Sequence, residues 1–305
     1  MKVNVISEQG FCFGVNRSLR IVKEALNNPD TPKPIYILGV IIHNKFVNKA
    51  FEENGIILLS ENNLERIKFL SKRNIGTVIL TAHGVSPKIY DLLNLNNYYY
   101  IDATCPAVKY VQDSIIKYLT LDYEVIYIGN KGHVEVEAVL DISKLVHLVE
   151  SLEDIKSLEI SNQKIYIQNQ TTLSLFDLKP IVDALVLKFP NAIREKGICQ
   201  ATTKRQMALQ KEIKGQLCLV VGDKNSSNSN KLKKIGQQFM QTYLIESIEG
   251  IQLKWLDNVD EITVTSGAST PKAITNEVIN FLKKYNKKDF KDWNLKSYVT
   301  SKDII

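Results

Sequence analysis

CPAVKYVQDSIIKYL (Cys105–Leu119) places a cysteine directly before a helical pattern. Apolar residues recur at spacings of three and four from Val108 onward, which predicts an amphipathic helix. The proline after the cysteine suits the first turn of such a helix. Cys105 therefore lies at a predicted helix N-terminus, where the helix dipole and the N–H groups stabilise a thiolate, the form of cysteine that binds metal.

The same plan occurs twice more along the chain. Cys12 precedes Cys105 by 93 residues and Cys199 follows it by 94, and each is followed by helix-forming sequence, FGVNRSLRIVKEAL and QATTKRQMALQKEI. Nearly equal spacing of this size predicts three similar units, each a small domain. We expect boundaries at 1–104, 105–198 and 199–282, with Cys12 in an N-terminal segment of the first domain and a C-terminal tail at 283–305.

The fourth cysteine, Cys218, differs from the other three. It lies inside QLCLVVGD, a continuous apolar run that predicts a buried strand. A small core residue is the ordinary role of such a cysteine. The N-terminus lacks a secretion signal, so disulfides are not expected.

Six apolar, β-branched runs each end in a polar loop, two loops for each cysteine. Strands that alternate with helices predict an α/β fold with parallel sheets, and ligands of such folds bind at the carboxyl ends of the strands. We expect three α/β domains around a pseudo-threefold axis, with the cysteines and loops facing one cavity. The polar residues beyond the strands are His43, His83, His133, Thr171, Ser226, Ser227, Asn228 and Ser269.

Three thiolates that meet at one point suit zinc or an iron–sulfur cluster. Paired C-x-x-C motifs, usual in structural zinc sites, are absent from the sequence. One cysteine per domain therefore favours a central cluster with one iron left open. The loops offer His, Ser, Thr and Asn, donors that suit a phosphate-like anion.

One acidic residue is a candidate proton donor. In GHVEVEAV, Glu135 follows His133 by two residues, and on an extended segment both side chains would point to the same side. A carboxyl group beside a histidine in a polar cavity suits general acid catalysis. On spacing alone, Glu137 could share that role. His147, the remaining histidine, lies in a predicted strand with no special role.

Nine motifs, in order along the chain, resemble the LytB family of 4-hydroxy-3-methylbut-2-enyl diphosphate reductases. The resemblance implies a trefoil of three α/β domains around a [4Fe–4S] cluster. It also implies the last step of the non-mevalonate isoprenoid pathway, reductive removal of an allylic hydroxyl to give isopentenyl and dimethylallyl diphosphates. The motifs are GFCFGVNRSL, HNKFVN, TAHGVS, DATCPAV, GHVEVEAV, QNQTTLS, ICQATTKRQ, VVGDKNSSNSN and SGAS.

The resemblance also implies a role for each site residue. One cluster per chain would have the ligands Cys12, Cys105 and Cys199. Glu135 rather than Glu137, together with Thr171 and His133, would serve the substrate hydroxyl and proton delivery. A ferredoxin or flavodoxin would supply electrons. The diphosphate would be held by His43, His83, His133, Thr171, Ser226, Ser227, Asn228 and Ser269.

Charge and composition limit the partners. The net charge of +6 comes from 39 Lys+Arg against 33 Asp+Glu, which is compatible with an acidic electron carrier. The basic stretch KKYNKKDFKDWNLK (Lys283–Lys296) predicts a solvated tail, and we expect no nucleic-acid partner. No apolar run reaches transmembrane length and no signal peptide is evident, so we expect a cytoplasmic enzyme without a membrane partner.

Two other interpretations remain open at this point. The first is a non-catalytic protein that binds a phosphorylated metabolite and carries a three-cysteine zinc site. The second is a transferase that uses Cys12 as a nucleophile with a histidine. Iron and sulfide in anaerobically purified protein would favour the reductase, stoichiometric zinc the first alternative, and labelling of one cysteine by an electrophile the second.

Overall fold

The computed structural model describes residues 1–59, 62–71, 76–160, 162–195, 197–286, 293 and 295–304. Part of the basic stretch predicted to be a solvated tail, residues 287–292 and 294, lies outside the described residues. For its described part the prediction is wrong, because Tyr285, Trp293 and Leu295 pack against the hydrophobic core of the first unit. Contacts divide the chain into two compact units. The first unit comprises Met1–Asn16, Ile42–Asn54 and Gln200–Ile305, and the second comprises Arg17–Ile41 and Gly55–Cys199.

Strands and α-helices alternate along the described residues except near the end, where two short 3₁₀ helices (Ile248–Gly250 and Leu253–Leu256) lie between the last two strands. The strands are β1 (Lys2–Val5), β2 (Ile35–Ile37), β3 (Ile56–Leu58), β4 (Thr77–Leu80), β5 (Tyr99–Asp102), β6 (Glu124–Ile128), β7 (Val146–Val149), β8 (Ile165–Asn169), β9 (Ile193–Arg194), β10 (Leu217–Val221), β11 (Gln241–Ile245) and β12 (Glu261–Ser266). The helices are α1 (Phe13–Asn27), α2 (Lys45–Glu53), α3 (Asn63–Leu70), α4 (Pro87–Leu95), α5 (Pro106–Thr120), α6 (Val134–Leu140), α7 (Leu152–Lys156), α8 (Leu175–Lys188), α9 (Gln200–Glu212), α10 (Ser227–Gly236) and α11 (Lys272–Lys284).

The first unit is built on one parallel sheet in the order β1-β12-β10-β11. Its central strand β10 is buried on both faces. Leu217, Leu219 and Val221 pack with α11, whereas Cys218 and Val220 pack with α9 and α10 on the opposite face. Helices on both faces explain the continuous apolar run, since a parallel strand covered on both sides has no polar face. The predicted core role of Cys218 is confirmed, because its side chain is fully buried.

The second unit contains two parallel sheets, with the orders β3-β2-β4-β5 and β7-β6-β8-β9. Strand β6 shows the same alternation as β10. Val125 and Tyr127 pack with α5 and α6, and Ile126 and Ile128 pack with α7 and α8. Because the strands of each sheet are parallel, their carboxyl ends lie at the same edge of the sheet, and the loops that follow the strands lie there too.

The three parallel four-stranded sheets with flanking helices confirm the predicted α/β class. The N-terminal strand β1 pairs with β12, Lys2 opposite Glu261 and Val5 opposite Val264, so it extends the sheet of the first unit. The domain boundaries at 104, 198 and 282 remain predictions. In the part of the chain that the structure describes, no helix is long and apolar enough to cross a membrane.

Candidate active site

The three evenly spaced cysteines all directly precede helices. Cys12 is followed by α1, Cys105 by α5 and Cys199 by α9, and all three are partly exposed and outside any disulfide. Cys105 has extended backbone at the N-cap of α5, whose first residue is a proline. The predicted position of each cysteine at a helix N-terminus is confirmed. The helix dipole there favours a thiolate.

The Cys12 loop in the first unit is braced from two sides. Gly10, with a φ of 73°, turns the chain toward Cys12 in a conformation that favours glycine. Its N–H donates to Ser266 Oγ at 2.9 Å, and its carbonyl accepts from Arg205 Nη2 at 2.6 Å. The Cys12 N–H donates to the Ala268 carbonyl at 3.2 Å, and the Val15 N–H approaches Cys12 Sγ at 3.5 Å. These hydrogen bonds hold the Cys12 loop against Ser266, Ala268 and Arg205.

The two cysteines of the second unit are anchored through their own backbones. The Cys105 N–H donates to the Ala82 carbonyl at 3.0 Å, in the loop that carries His83. The Cys199 N–H donates to the Thr171 carbonyl at 3.1 Å, in the loop after β8. Each cysteine is thus held against a loop that contains a predicted substrate-binding residue.

The surroundings of Cys12, Cys105 and Cys199 fit metal ligands, and those of Cys218 do not. Burial raises the pKa of the Cys218 thiol to about 12, which disfavours a thiolate. Among the described residues, no three His, Cys, Asp or Glu side chains are grouped around a position for one metal ion. Three properties therefore support these cysteines as metal ligands. Each lies at a helix N-terminus, each is partly exposed, and each has a thiol that binds metal as a thiolate.

Three of the predicted polar loops meet within the first unit. The hydroxyl of Ser269 donates to the His43 carbonyl at 3.1 Å and approaches the Ser226 hydroxyl at 3.4 Å. Ser226 is the N-cap of α10, and its Oγ accepts from the Ser229 N–H at 3.3 Å. These contacts bring together loops more than 170 residues apart in sequence, since His43 and Ser226 belong to distant segments.

Asn228, in the first turn of α10, has a buried side-chain amide. It is only 5% exposed. Neither its Oδ1 nor its Nδ2 has a hydrogen-bond partner among the described residues. Leaving a buried polar group unsatisfied costs about 1–3 kcal/mol, so an anion that accepts from this amide would recover that cost. Together with the N–H groups of the α10 N-terminus, the amide forms a candidate phosphate site.

In the second unit the structure brings His83 and His133 together. Their ring centroids are 6.1 Å apart and their planes are perpendicular. His133 is the N-cap of α6, and its Nδ1 accepts from the Glu135 N–H at 3.2 Å. In the neutral ring this places the proton on Nε2, which is then a donor. Both rings are partly exposed.

Glu135 is a buried carboxyl group that contacts Thr171. It is 3% exposed. It accepts from the Thr171 N–H at 3.0 Å, and Thr171 Oγ1 lies 3.0 Å from Oε1 and 2.9 Å from Oε2. Burial raises the pKa of Glu135 to about 7, against a smaller lowering effect of the Thr171 hydrogen bonds. The group therefore exchanges its proton near neutral pH, as a general acid requires.

The expectation that His133 and Glu135 lie on an extended segment is wrong. Glu135 belongs to the first turn of α6, and His133 caps that helix. The sequence spacing could not distinguish Glu135 from Glu137 as the candidate acid, but the helix directs their side chains into different environments. Glu135 is buried against Thr171, whereas Glu137 is exposed and accepts from the Gly132 N–H at 3.0 Å. Only Glu135 thus has the environment of a perturbed acid.

His147 lies on β7, as predicted, apart from the loops. Its Nε2 lies 2.7 Å from Glu124 Oε2, in a pair between β7 and the neighbouring strand β6. This contact gives the residue a structural partner at a strand edge.

Several buried residues around the site did not emerge from the sequence. Asp223 and Arg205 are 6% and 3% exposed and bond to the loops of His43 and Cys12. Their charge predicts exposure, so no sequence pattern marks them. Asn44 was detectable, because an asparagine before an apolar-periodic run is a typical N-cap, and its Oδ1 accepts from the Phe46 and Val47 N–H groups.

A family model and similar curated proteins indicate the same family. The "LytB protein" family model matches residues 3–283. A 4-hydroxy-3-methylbut-2-enyl diphosphate reductase of Bacillus cytotoxicus is 43% identical over 309 residues, which cover 100% of this chain and 98% of that protein. The protein of the same name from Bacillus subtilis is 41% identical over 309 residues, with the same two coverages.

Solved structures agree with the sequence comparisons. The E-1-hydroxy-2-methyl-but-2-enyl-4-diphosphate reductase of Plasmodium falciparum superposes with a TM-score of 0.86 at 33% identity, over 99% of this chain and 96% of that one. A second structure, described as the terminal enzyme of the non-mevalonate pathway, gives a TM-score of 0.66 at 29% identity and covers 93% of this chain. Since the family model spans nearly the whole sequence, the chain belongs to the LytB protein family.

Proposed function

We propose that this chain reduces (E)-4-hydroxy-3-methylbut-2-enyl diphosphate to isopentenyl and dimethylallyl diphosphates, the last step of the non-mevalonate pathway. Relatives 41–43% identical over the whole chain carry the name of that reductase. Removal of the allylic hydroxyl consumes two electrons and two protons and releases water. The protein must therefore bind a diphosphate, receive electrons and protonate a leaving oxygen.

The observation that carries this proposal is the Glu135–Thr171 pair. A C–O bond breaks poorly if hydroxide is the leaving group, so the departing oxygen needs a proton. Glu135 is protonated below pH about 7 because it is buried. Thr171 Oγ1 can accept that proton and donate its own toward the substrate hydroxyl, since a hydroxyl has one proton and two lone pairs.

For the metal centre we propose the ligands Cys12, Cys105 and Cys199, one cluster per chain. Each directly precedes a helix and each is partly exposed, in contrast to the buried Cys218. When bound, a [4Fe–4S] cluster with one open iron would supply the electrons and the Lewis acidity that weaken the C–O bond. The backbone hydrogen bonds of the three cysteines, which hold the chain at each position, support this assignment.

We propose that the diphosphate binds to hydrogen-bond donors in the polar loops beyond the strands. These donors are His43, His83, His133, Thr171, Ser226, Ser227, Asn228 and Ser269. The unsatisfied amide of Asn228 and the N-terminus of α10 support this assignment. Hydrogen bonds from imidazole N–H groups, such as Nε2–H of His133, to the charged phosphate oxygens would add to the affinity for the anion.

A ferredoxin or flavodoxin is the proposed electron donor, and the cytoplasm the proposed compartment. The net charge of +6 supports a small acidic carrier, because opposite charges steer association. We propose that the protein has neither a nucleic-acid partner nor a membrane partner.

The decisive experiment is anaerobic reconstitution followed by turnover. We expect brown protein that contains iron and sulfide and converts the hydroxylated diphosphate with an artificial reductant. Colourless protein that holds stoichiometric zinc after the same treatment would contradict the proposal and favour a non-catalytic phosphometabolite-binding protein.

A further inference from the structure

Asp223 joins two loops of the first unit through its carboxylate. Its Oδ1 accepts from the Asn225 N–H at 2.8 Å, and its Oδ2 accepts from the Lys45 N–H at 3.0 Å. Asn225 directly precedes Ser226, and Lys45 follows His43 by two residues. The side chain is only 6% exposed. One carboxylate therefore ties the backbone near His43 to the backbone near Ser226.

The helix that starts at Lys45 has its N-terminus filled by protein oxygens. The first N–H groups of α2 lack intrahelical partners. Asn44 Oδ1 accepts from Phe46 and Val47 at 3.1 and 3.2 Å, and Asp223 accepts from Lys45. All three N–H groups of this turn are thus satisfied within the protein. An anionic ligand gains nothing by approaching this helix end.

The neighbouring helix α10 is capped differently. Its N-cap Ser226 uses Oγ to accept from the Ser229 N–H, at the third helical position. Within the same turn lies the buried amide of Asn228, without a hydrogen-bond partner among the described residues. Of the two helix N-termini that Asp223 connects, the one at Ser226 is the one prepared for an anion.

We infer that Asp223 is a positioning residue of the diphosphate site. It holds the His43 loop close to the Ser226–Asn228 turn. The inference rests on the proposed function for the identity of the substrate, and on the two hydrogen bonds of Asp223 for its geometry. Ser269 supplies a second tie between the same loops, through the His43 carbonyl and the Ser226 hydroxyl. Asp223 acts through these loops and touches no reacting atom.

Chemistry limits what can replace this carboxylate. Both of its oxygens accept from backbone N–H groups, and asparagine has only one oxygen acceptor. Asp223→Asn therefore loses one bond and turns an NH₂ group toward an N–H donor. Asp223→Ser keeps one acceptor near Asn225 but has a side chain too short to reach Lys45. Asp223→Glu keeps both oxygens and offers a test of rescue.

The test compares KM, kcat and iron content of reconstituted Asp223→Asn and Asp223→Ser enzymes with the wild type. We expect KM for the hydroxylated diphosphate to rise about tenfold, since one hydrogen bond of the tie is lost. We expect kcat within about twofold of the wild type, because Glu135, Thr171 and the cysteines are untouched. Asp223→Glu should recover part of the loss.

A matched control is Glu277→Gln. Glu277 also joins two segments of the first unit, by accepting from the Ser297 hydroxyl at 2.8 Å and the Tyr298 N–H at 2.7 Å. Neither Ser297 nor Tyr298 belongs to the proposed site, so replacement of Glu277 should leave KM unchanged. An equal rise of KM in Glu277→Gln would mean general loosening of the unit and would overturn the inference.

Amide hydrogen exchange separates this inference from the proposed function. Without substrate, the Lys45 and Asn225 amides should exchange at least about tenfold faster in Asp223→Asn than in the wild type. Unchanged exchange, or unchanged or lower KM, would overturn the positioning role. Failure of the wild type itself to turn over would contradict the proposed function, while the exchange result would still decide whether the tie exists.

Discussion

Thr171 contacts both carboxylate oxygens of Glu135 through one hydroxyl. Oγ1 lies 3.0 Å from Oε1 and 2.9 Å from Oε2, and the Thr171 N–H donates to Oε2 at 3.0 Å. The single hydroxyl proton can serve only one acceptor at a time. When Glu135 is protonated, its own O–H can donate to Thr171, which leaves the threonine proton available to a third group. The pair is thus arranged to pass a proton outward.

The first prediction concerns Glu135→Gln. Glutamine keeps the shape and accepts from the Thr171 N–H, but its amide cannot supply a proton. General acid catalysis is worth about 10²–10⁴ in rate. We therefore expect turnover at least about a hundredfold slower, with iron content and substrate affinity near wild type. Measurement of kcat, iron and substrate binding on the reconstituted variant checks this.

Glu137→Gln is the matched control for that variant. Glu137 is two residues away on the same helix, exposed, and bonded to Gly132. Its replacement should leave kcat unchanged. Near-normal turnover by Glu135→Gln, or equal losses in both variants, would count against Glu135 as the proton source.

The second prediction concerns stability as a function of pH. The pKa of Glu135 is raised in the folded protein to about 7 from its ordinary value of 4.5, so folding favours the protonated form. Its contribution is fully present below pH about 4.5 and is lost as the pH rises through about 7. The loss is about 3 kcal/mol, from a shift of two to three pKa units. Glutamine is neutral throughout, so Glu135→Gln should gain stability relative to wild type between pH 5 and 8. Thermal unfolding across that range measures the difference, and parallel curves would contradict the raised pKa.

The third prediction concerns the rate as a function of pH. A general acid must be protonated, and Glu135 loses its proton near pH 7. We expect kcat/KM to fall about tenfold per pH unit above that value. The slow Glu135→Gln enzyme should lack this decline, because it has no carboxyl group to ionise. A decline of equal slope in the variant would assign the ionisation to another group, such as the substrate diphosphate.

The helix starts and the central strands could be predicted because their signals are local. The proline after Cys105 and apolar spacings mark α5 within a few residues. Long-range pairing has no such signal. Strand β1 joins β12, about 260 residues away, and nothing near Lys2 indicates this partner. The two-residue strand β9 is exposed and too short for any periodicity to show.

The Glu135 segment shows why a local pattern can mislead. The sequence VEVE (Val134–Glu137) alternates with a period of two, which is typical of a strand. In the structure it forms the first turns of α6, with Glu135 and Val136 both buried. The His133 cap and the Thr171 contacts override the β-branched pattern. Tertiary contacts, absent from any local window, thus decide that Glu135 is buried and Glu137 is exposed.

The fourth prediction concerns the cysteines. Cys12→Ser, Cys105→Ser and Cys199→Ser should each lose the cluster and the activity, since a serine hydroxyl is a far weaker ligand for iron than a thiolate. Cys218→Ser should keep both, because Cys218 is fully buried between the sheet and its helices. Iron and sulfide content, visible absorption and turnover check the series. A folded Cys218→Ser protein that cannot hold iron would contradict the assignment.

The fifth prediction concerns His83→Ala, with His147→Ala as its control. His83 lies 6.1 Å from His133, ring to ring, within the second unit, whereas His147 pairs with Glu124 on a strand edge. If His83 donates to the diphosphate, its loss removes one charge-assisted hydrogen bond, worth about 1.5–3 kcal/mol. His83→Ala should then weaken substrate binding about tenfold or more, since each 1.4 kcal/mol is about a factor of ten. His147→Ala should leave affinity unchanged, although it can lower stability because Glu124 loses one of its hydrogen-bond partners and keeps the Asn162 N–H. Substrate binding by calorimetry on reconstituted protein, with unfolding temperatures measured alongside, separates the two effects. Unchanged affinity in folded His83→Ala would remove this histidine from the diphosphate site and leave its position beside His133 to be explained by packing.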